Sequence, residues 1–180
     1  MKIAFFSEAS YQGKVSRDNP NMRTDVAWVC ALNATHHPIP TIHELPDNSY
    51  DVGIMILPKN RKPLLNYPLL EQYKRVCKKV TIMQESYYNY WQDSSIEEQI
   101  WYFNFITEMD LIFCHNDVDL IYYNGLTNVR TELLPSVMIT DNIVKRSEWG
   151  DGVIIGGNFV WAYGGFDSYQ VATEITDDVT

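Results

Sequence analysis

The chain has 180 residues, 46% hydrophobic and 21% charged, and its 14 basic against 23 acidic residues leave a net charge of −9. This composition excludes a disordered chain, and the length suits one domain, or one domain and part of a second. The acidity gives no general attraction for phosphate backbones and disfavours autonomous nucleic-acid binding.

In chain order, Lys2–Phe6 is a short apolar run that predicts a buried strand; it is too short for a signal peptide or a membrane span. Ser7–Arg23 reads as a long polar loop. Asp25 to about Ala34 predicts a helix, with Thr24 able to cap it and with His36, His37, Pro38 and Pro40 ending it. Asp51–Pro58 is a second buried strand. Pro63–Lys79 predicts a basic amphipathic helix with Leu65, Leu69, Tyr73 and Val76 on one stripe, followed by the strand Val80–Gln84. Ser86–Asp93 is a Tyr-rich loop whose Tyr87, Tyr88, Tyr90 and Trp91 suit stacking on a sugar or base, or simple packing over the core.

Ser95 and Glu98 have capping-box spacing, and the helix behind them carries Ile96, Ile100, Phe103 and Ile106 on one face. Leu111–Cys114 then predicts a strand, Asp117–Tyr123 a short helix, Val129–Leu134 and Gly152–Ile155 two more strands, and Phe166–Ile175 a last helix. Continuous apolar strands alternating with helices are the mark of an α/β domain with a doubly wound parallel sheet, Rossmann-like. The charged stretch Lys145–Asp151 is the best domain boundary. Cys30, Cys77 and Cys114 are odd in number and lack metal-ligand spacing, so the expectation is free thiols in a reducing cytoplasm and no metal.

Ligands of open parallel sheets bind outside the carboxyl ends of the strands. The residues there are Ser7 and Glu8, then Pro58, Lys59 and Asn60, then Gln84 and Glu85, then His115, Asn116 and Asp117. Glu85, His115 or Asp117 can serve as a general base beside donors for a polar ligand; Asn116 and Asp117 also stand where a helix cap belongs. His36 and His37 read as a cation pair at a helix end. Arg23 and Thr24 at a helix start suit an anion, which Asp25 would oppose. Arg61, Lys62, Lys74, Arg75, Lys78 and Lys79 form a basic patch best read as a solvated helix face. Near the end, Gly156, Gly157 and Asn158 follow a strand, and Gly164 and Gly165 open a helix. These are places for close backbone approach to a diphosphate, though the spacing is not that of a dinucleotide fingerprint.

These residues in this order resemble glycosyltransferases of the two-Rossmann-domain (GT-B) architecture, in particular the divergent ones of tailed bacteriophages. The resemblance is carried by the KIAFF strand, Arg23–Leu32 (RTDVAWVCAL), Met109–Asn116 (MDLIFCHN) and Gly152–Ile175 (GVIIGGNFVWAYGGFDSYQVATEI). In the last segment Gly156 and Gly157 match the family's first glycine position. Tyr163-Gly164-Gly165 matches the second, with tyrosine where lysine is usual, and Ala172 matches the helix alanine. The resemblance implies a Rossmann-like acceptor-side domain over residues 1–146. Residues 147–180 would be a linker and the first strand and helix of an incomplete nucleotide-sugar domain. It implies transfer of a sugar from a nucleotide donor to an unknown acceptor, with no resident cofactor. The donor backbone contacts would come from Gly156, Gly157, Asn158, Gly164 and Gly165, completed by a further C-terminal domain or a second chain, in the host cytoplasm if phage-encoded. The competing expectation is a non-catalytic flavodoxin-like binding module or a transferase remnant.

Overall fold

Six short strands pair side by side, all parallel, in the order β2-β1-β3-β4-β5-β6. They are β1 (Ile3–Ser7), β2 (Thr35–Pro38), β3 (Tyr50–Met55), β4 (Cys77–Gln84), β5 (Leu111–Cys114) and β6 (Thr131–Leu133). The structure is a computed structural model and describes residues 1–8, 13–17, 24–58, 60–84 and 94–137, all within the unit Met1–Asn142. The predicted linker Lys145–Asp151, the elements Gly152–Ile155 and Phe166–Ile175, and the Tyr87–Trp91 stripe lie outside the described residues.

A parallel sheet must be covered on both faces, which is why β1, β3, β4 and β5 carry apolar runs. Side-chain alternation sends Phe5, Ile54 and Met83 to one face, where Trp28 and Val29 of helix α1 (Thr24–Ala31) pack on them. Ala4, Phe6, Met55, Ile82 and Ile112 point to the other face. There they meet Tyr73 of α2 (Leu69–Val76), Tyr102 and Phe105 of α3 (Ile96–Thr107) and Tyr123 of α4 (Asp117–Leu126). Phe5 and Phe6 are both fully buried, one toward each core. Each such side chain contributes about 1.5–3 kcal/mol. Among the described residues, one helix on one face and three on the other make this the doubly wound, Rossmann-like α/β arrangement.

Tyr73 locks α2 to the sheet centre. Its hydroxyl donates to the Thr81 carbonyl at 2.7 Å, and its ring lies so close to β3 that a Cβ at Gly53 would stand 2.3 Å from it. Only a residue without a side chain fits there.

Local signals set the helix starts. Ser95 caps α3 through a complete capping box with Glu98, and Asn116 caps α4 by accepting from the Asp119 amide at 2.8 Å. Elsewhere the structure corrects the expectation. Thr35–Pro38 is a strand, not a helix end, and His36 and His37 are both buried in it. The basic helix spans only Leu69–Val76; Lys62–Leu64 forms a separate 3-10 turn, and Cys77 already belongs to β4. The stripe expected to bury α3 is turned outward except for Ile106, because Tyr102 and Phe105 fill the core instead.

Candidate functional site

Chain order and strand order disagree at β1. From its carboxyl end the chain moves to β2 on one side, then returns to β3 on the other. Such a switch point opens a crevice at the carboxyl edge, where ligands of this fold class bind. Ser7 ends β1 beside it, and the segment after β3 brings in Arg61.

Ser7 is the hub of a buried cluster. Its hydroxyl donates to Asp25 Oδ2 at 2.9 Å, and His36 Nε2 lies 2.9 Å from the same oxygen. Ser7, Asp25 and His36 are 1%, 3% and 1% exposed. A hydroxyl has one hydrogen, and an ionised carboxylate only accepts, so His36 donates to Ser7 through Nε2. This is not a catalytic triad: the imidazole and carboxylate both bind the serine rather than each other. The backbone supports the arrangement. Gly13 exchanges two hydrogen bonds with His36, at 2.8 and 2.7 Å, from a φ of +86° that favours glycine.

Asp25 also accepts from the Val26 amide at 2.9 Å. The first turn of α1 therefore holds a protein carboxylate, which repels a phosphate at that helix start. Beside the cluster, His37 Nε2 meets the Tyr50 hydroxyl at 2.7 Å. Burial, and then the neighbouring His36, hold the His37 pKa below its ordinary 6.5.

His115 follows β5. Its Nδ1 lies 2.7 Å from the Leu134 carbonyl. A carbonyl only accepts, so Nδ1 carries a proton, and in the neutral ring Nε2 is the acceptor. That Nε2 is buried without a hydrogen-bond partner. Alternation places Ser7 and His115 on the α1 side, two residues beyond Phe5 and Phe113. Gln84, two beyond Ile82, belongs to the opposite side. It is 1% exposed, and its Oε1 has no partner. Native proteins pair nearly all buried polar atoms, so these two call for a partner that water or a ligand can supply. Also on that side, Arg61 is fully buried with its guanidinium 4.6 Å from the centre of the Tyr102 ring. The Tyr102 and Tyr123 hydroxyls are hydrogen-bonded at 2.6 Å.

Of the three predicted bases, His115 is at this edge, oriented by the Leu134 carbonyl. Asp117 is exposed at the first position of α4, in the turn that Asn116 caps. Glu85 lies outside the described residues, as do Gly156, Gly157, Asn158, Gly164 and Gly165. Sequence reasoning named Ser7 and Gln84 by position but missed the roles of Asp25 and His36, which only the β1–β2 register, Phe5 opposite His36, brings to Ser7.

The basic patch is spent elsewhere. Lys74 pairs with Glu108 at 2.6 Å, Arg75 with Asp47 at 2.5 Å, Lys78 with Asp51 and Lys79 with Asp110 at 2.8 Å each. Burial pushes the thiols of Cys77 and Cys114 up to about 12, which makes both unreactive at neutral pH. The described residues contain no group of three His, Cys, Asp or Glu that could hold a metal, and none of their helices is long and apolar enough to cross a membrane. No protein family model, curated protein or solved structure matches the chain.

Proposed function

We propose that the chain is a glycosyltransferase-type protein of the GT-B architecture, whose described unit binds the acceptor at the carboxyl edge of its sheet. The observation that carries this reading is His115, held by the Leu134 carbonyl through Nδ1 with Nε2 unpaired. In transfer with inversion, an acceptor hydroxyl attacks the anomeric carbon of the donor. The bond to the nucleoside diphosphate breaks, and the hydroxyl proton passes to a base, here His115 Nε2. The unpaired Gln84 Oε1 suits a hydroxyl donor, as a sugar supplies. The carboxylate at the start of α1 argues for a neutral ligand at this edge, with the donor diphosphate held by other residues. For that role the sequence offers Gly156, Gly157, Asn158, Gly164 and Gly165.

A second reading, a non-catalytic flavodoxin-like binding module, is favoured by the strand order, which begins 2-1-3-4-5 as in that fold. The two separate by experiment. The chain is melted with UDP, GDP and their sugars, and nucleoside diphosphate release is followed with added hexoses. A donor at a hundred times its dissociation constant adds about 2.7 kcal/mol. Transfer predicts a raised melting temperature and release that His115→Ala abolishes without changing donor binding. A raised melting temperature without release supports the module, and no response to any nucleotide sugar refutes the transferase.

A further inference from the structure

The outer sides of α3 and α4 are apolar where solvent contact favours polar residues. Ile96, Ile100 and Phe103 of α3 are 71%, 57% and 40% exposed, and Val118 and Ile121 of α4 are 64% and 73% exposed. Spacing of four and three residues puts the first three on one stripe. Where the two helices meet, Ile100, Phe103, Tyr122 and Leu126 line a groove of about 390 Å³. A contiguous exposed apolar patch of this kind marks an interaction surface.

Charge selects the occupant. Neither helix carries a lysine or arginine. Glu97 and Asp117 stand exposed in their first turns, and neither helix has a basic residue in its last turn. We infer that the groove docks an amphipathic helix from a partner protein, its apolar face in the groove and lysines or arginines along its flanks. A membrane is the poorer occupant, because helices that lie on anionic lipid carry their own basic residues beside the apolar face. A second copy is also poorer, since it brings the same acids and no basic residue on either helix. The surface uses neither Gln84 nor His115 and is independent of the function proposed for them.

The probe is a fluorescent Leu/Lys amphipathic peptide of about 14 residues, ~20 Å long as a helix, titrated against the whole chain by anisotropy. Binding should weaken with added salt. It should fall at least tenfold when glutamate replaces the peptide's lysines. A fall of the same size is expected in Ile100→Ser and in Ile121→Lys, exposed positions whose variants should melt as the parent does. Absence of binding, or binding untouched by both variants, overturns the inference. So does self-association of the chain, or its adsorption to phosphatidylserine vesicles, if either is abolished by Ile100→Ser.

Discussion

The two edges of this one sheet handle polarity in opposite ways. At the amino edge, charged side chains pair in the open: Lys78 and the Lys2 amide both meet Asp51, and Lys79 and the Val80 amide both meet Asp110. The Lys78 hydrogen bond, followed by that of the Lys2 amide, holds the Asp51 carboxyl down to about 2. At the carboxyl edge a set of polar groups is buried, although Glu8, Asn60, Asn116 and Asp117 there are exposed. Some are satisfied internally, as in Ser7, Asp25 and His36, and others carry an unpaired atom, as in Gln84 and His115. Exposed pairs tolerate change because water replaces either partner. Buried groups are costly to leave unmade, so their retention at one edge points to use.

The largest expected effect follows from cutting the buried hub. Asp25→Ala removes the acceptor of the Ser7 hydroxyl and should cost about 2–3 kcal/mol in urea unfolding; a cost below ~0.5 kcal/mol would place the cluster on a par with the surface. A pH effect comes next. The His37 pKa is lowered in the fold, so its contribution is fully present above the unfolded value of 6.5 and is lost as pH falls through the folded value. Melting temperature should therefore drop on acidification from neutrality, with a shallower drop in His37→Asn. At the amino edge, Lys78→Ala should cost less than about 1 kcal/mol, as exposed ion pairs do. The smallest change in stability belongs to Gln84→Leu, expected to be neutral or slightly stabilising, because it removes a buried acceptor that the fold itself does not satisfy. A clear destabilisation there would show that Gln84 is structural and would weaken the contrast between the edges.

Much of the fold was legible because parallel strands leave apolar runs. β1, β3, β4 and β5 stood out for that reason, and the Ser95–Glu98 box located the start of α3. β2 did not stand out: Thr-His-His-Pro has no apolar run, and its histidines become strand residues only when Ser7 and Tyr50 satisfy them. The outer face of α3 was misread because the helix is apolar on two sides, and periodicity does not say which side the sheet takes. Within the candidate site, strand-end position was enough to find Gln84 and His115. The orientation of His115 required Leu134, a contact 19 residues away in sequence, and Asp25 reads in the sequence only as a charge opposing an anion at its helix start.

The account stands or falls on which edge meets the ligand. The most direct measurement is amide NMR of the labelled chain titrated with UDP- and GDP-sugars, alone and with free hexoses. The account predicts saturable shifts centred on Ser7, Gln84 and His115, with the amino edge unmoved. Shifts centred instead on Lys2, Asp51, Lys78 and Asp110, or none with any of these compounds, would contradict it.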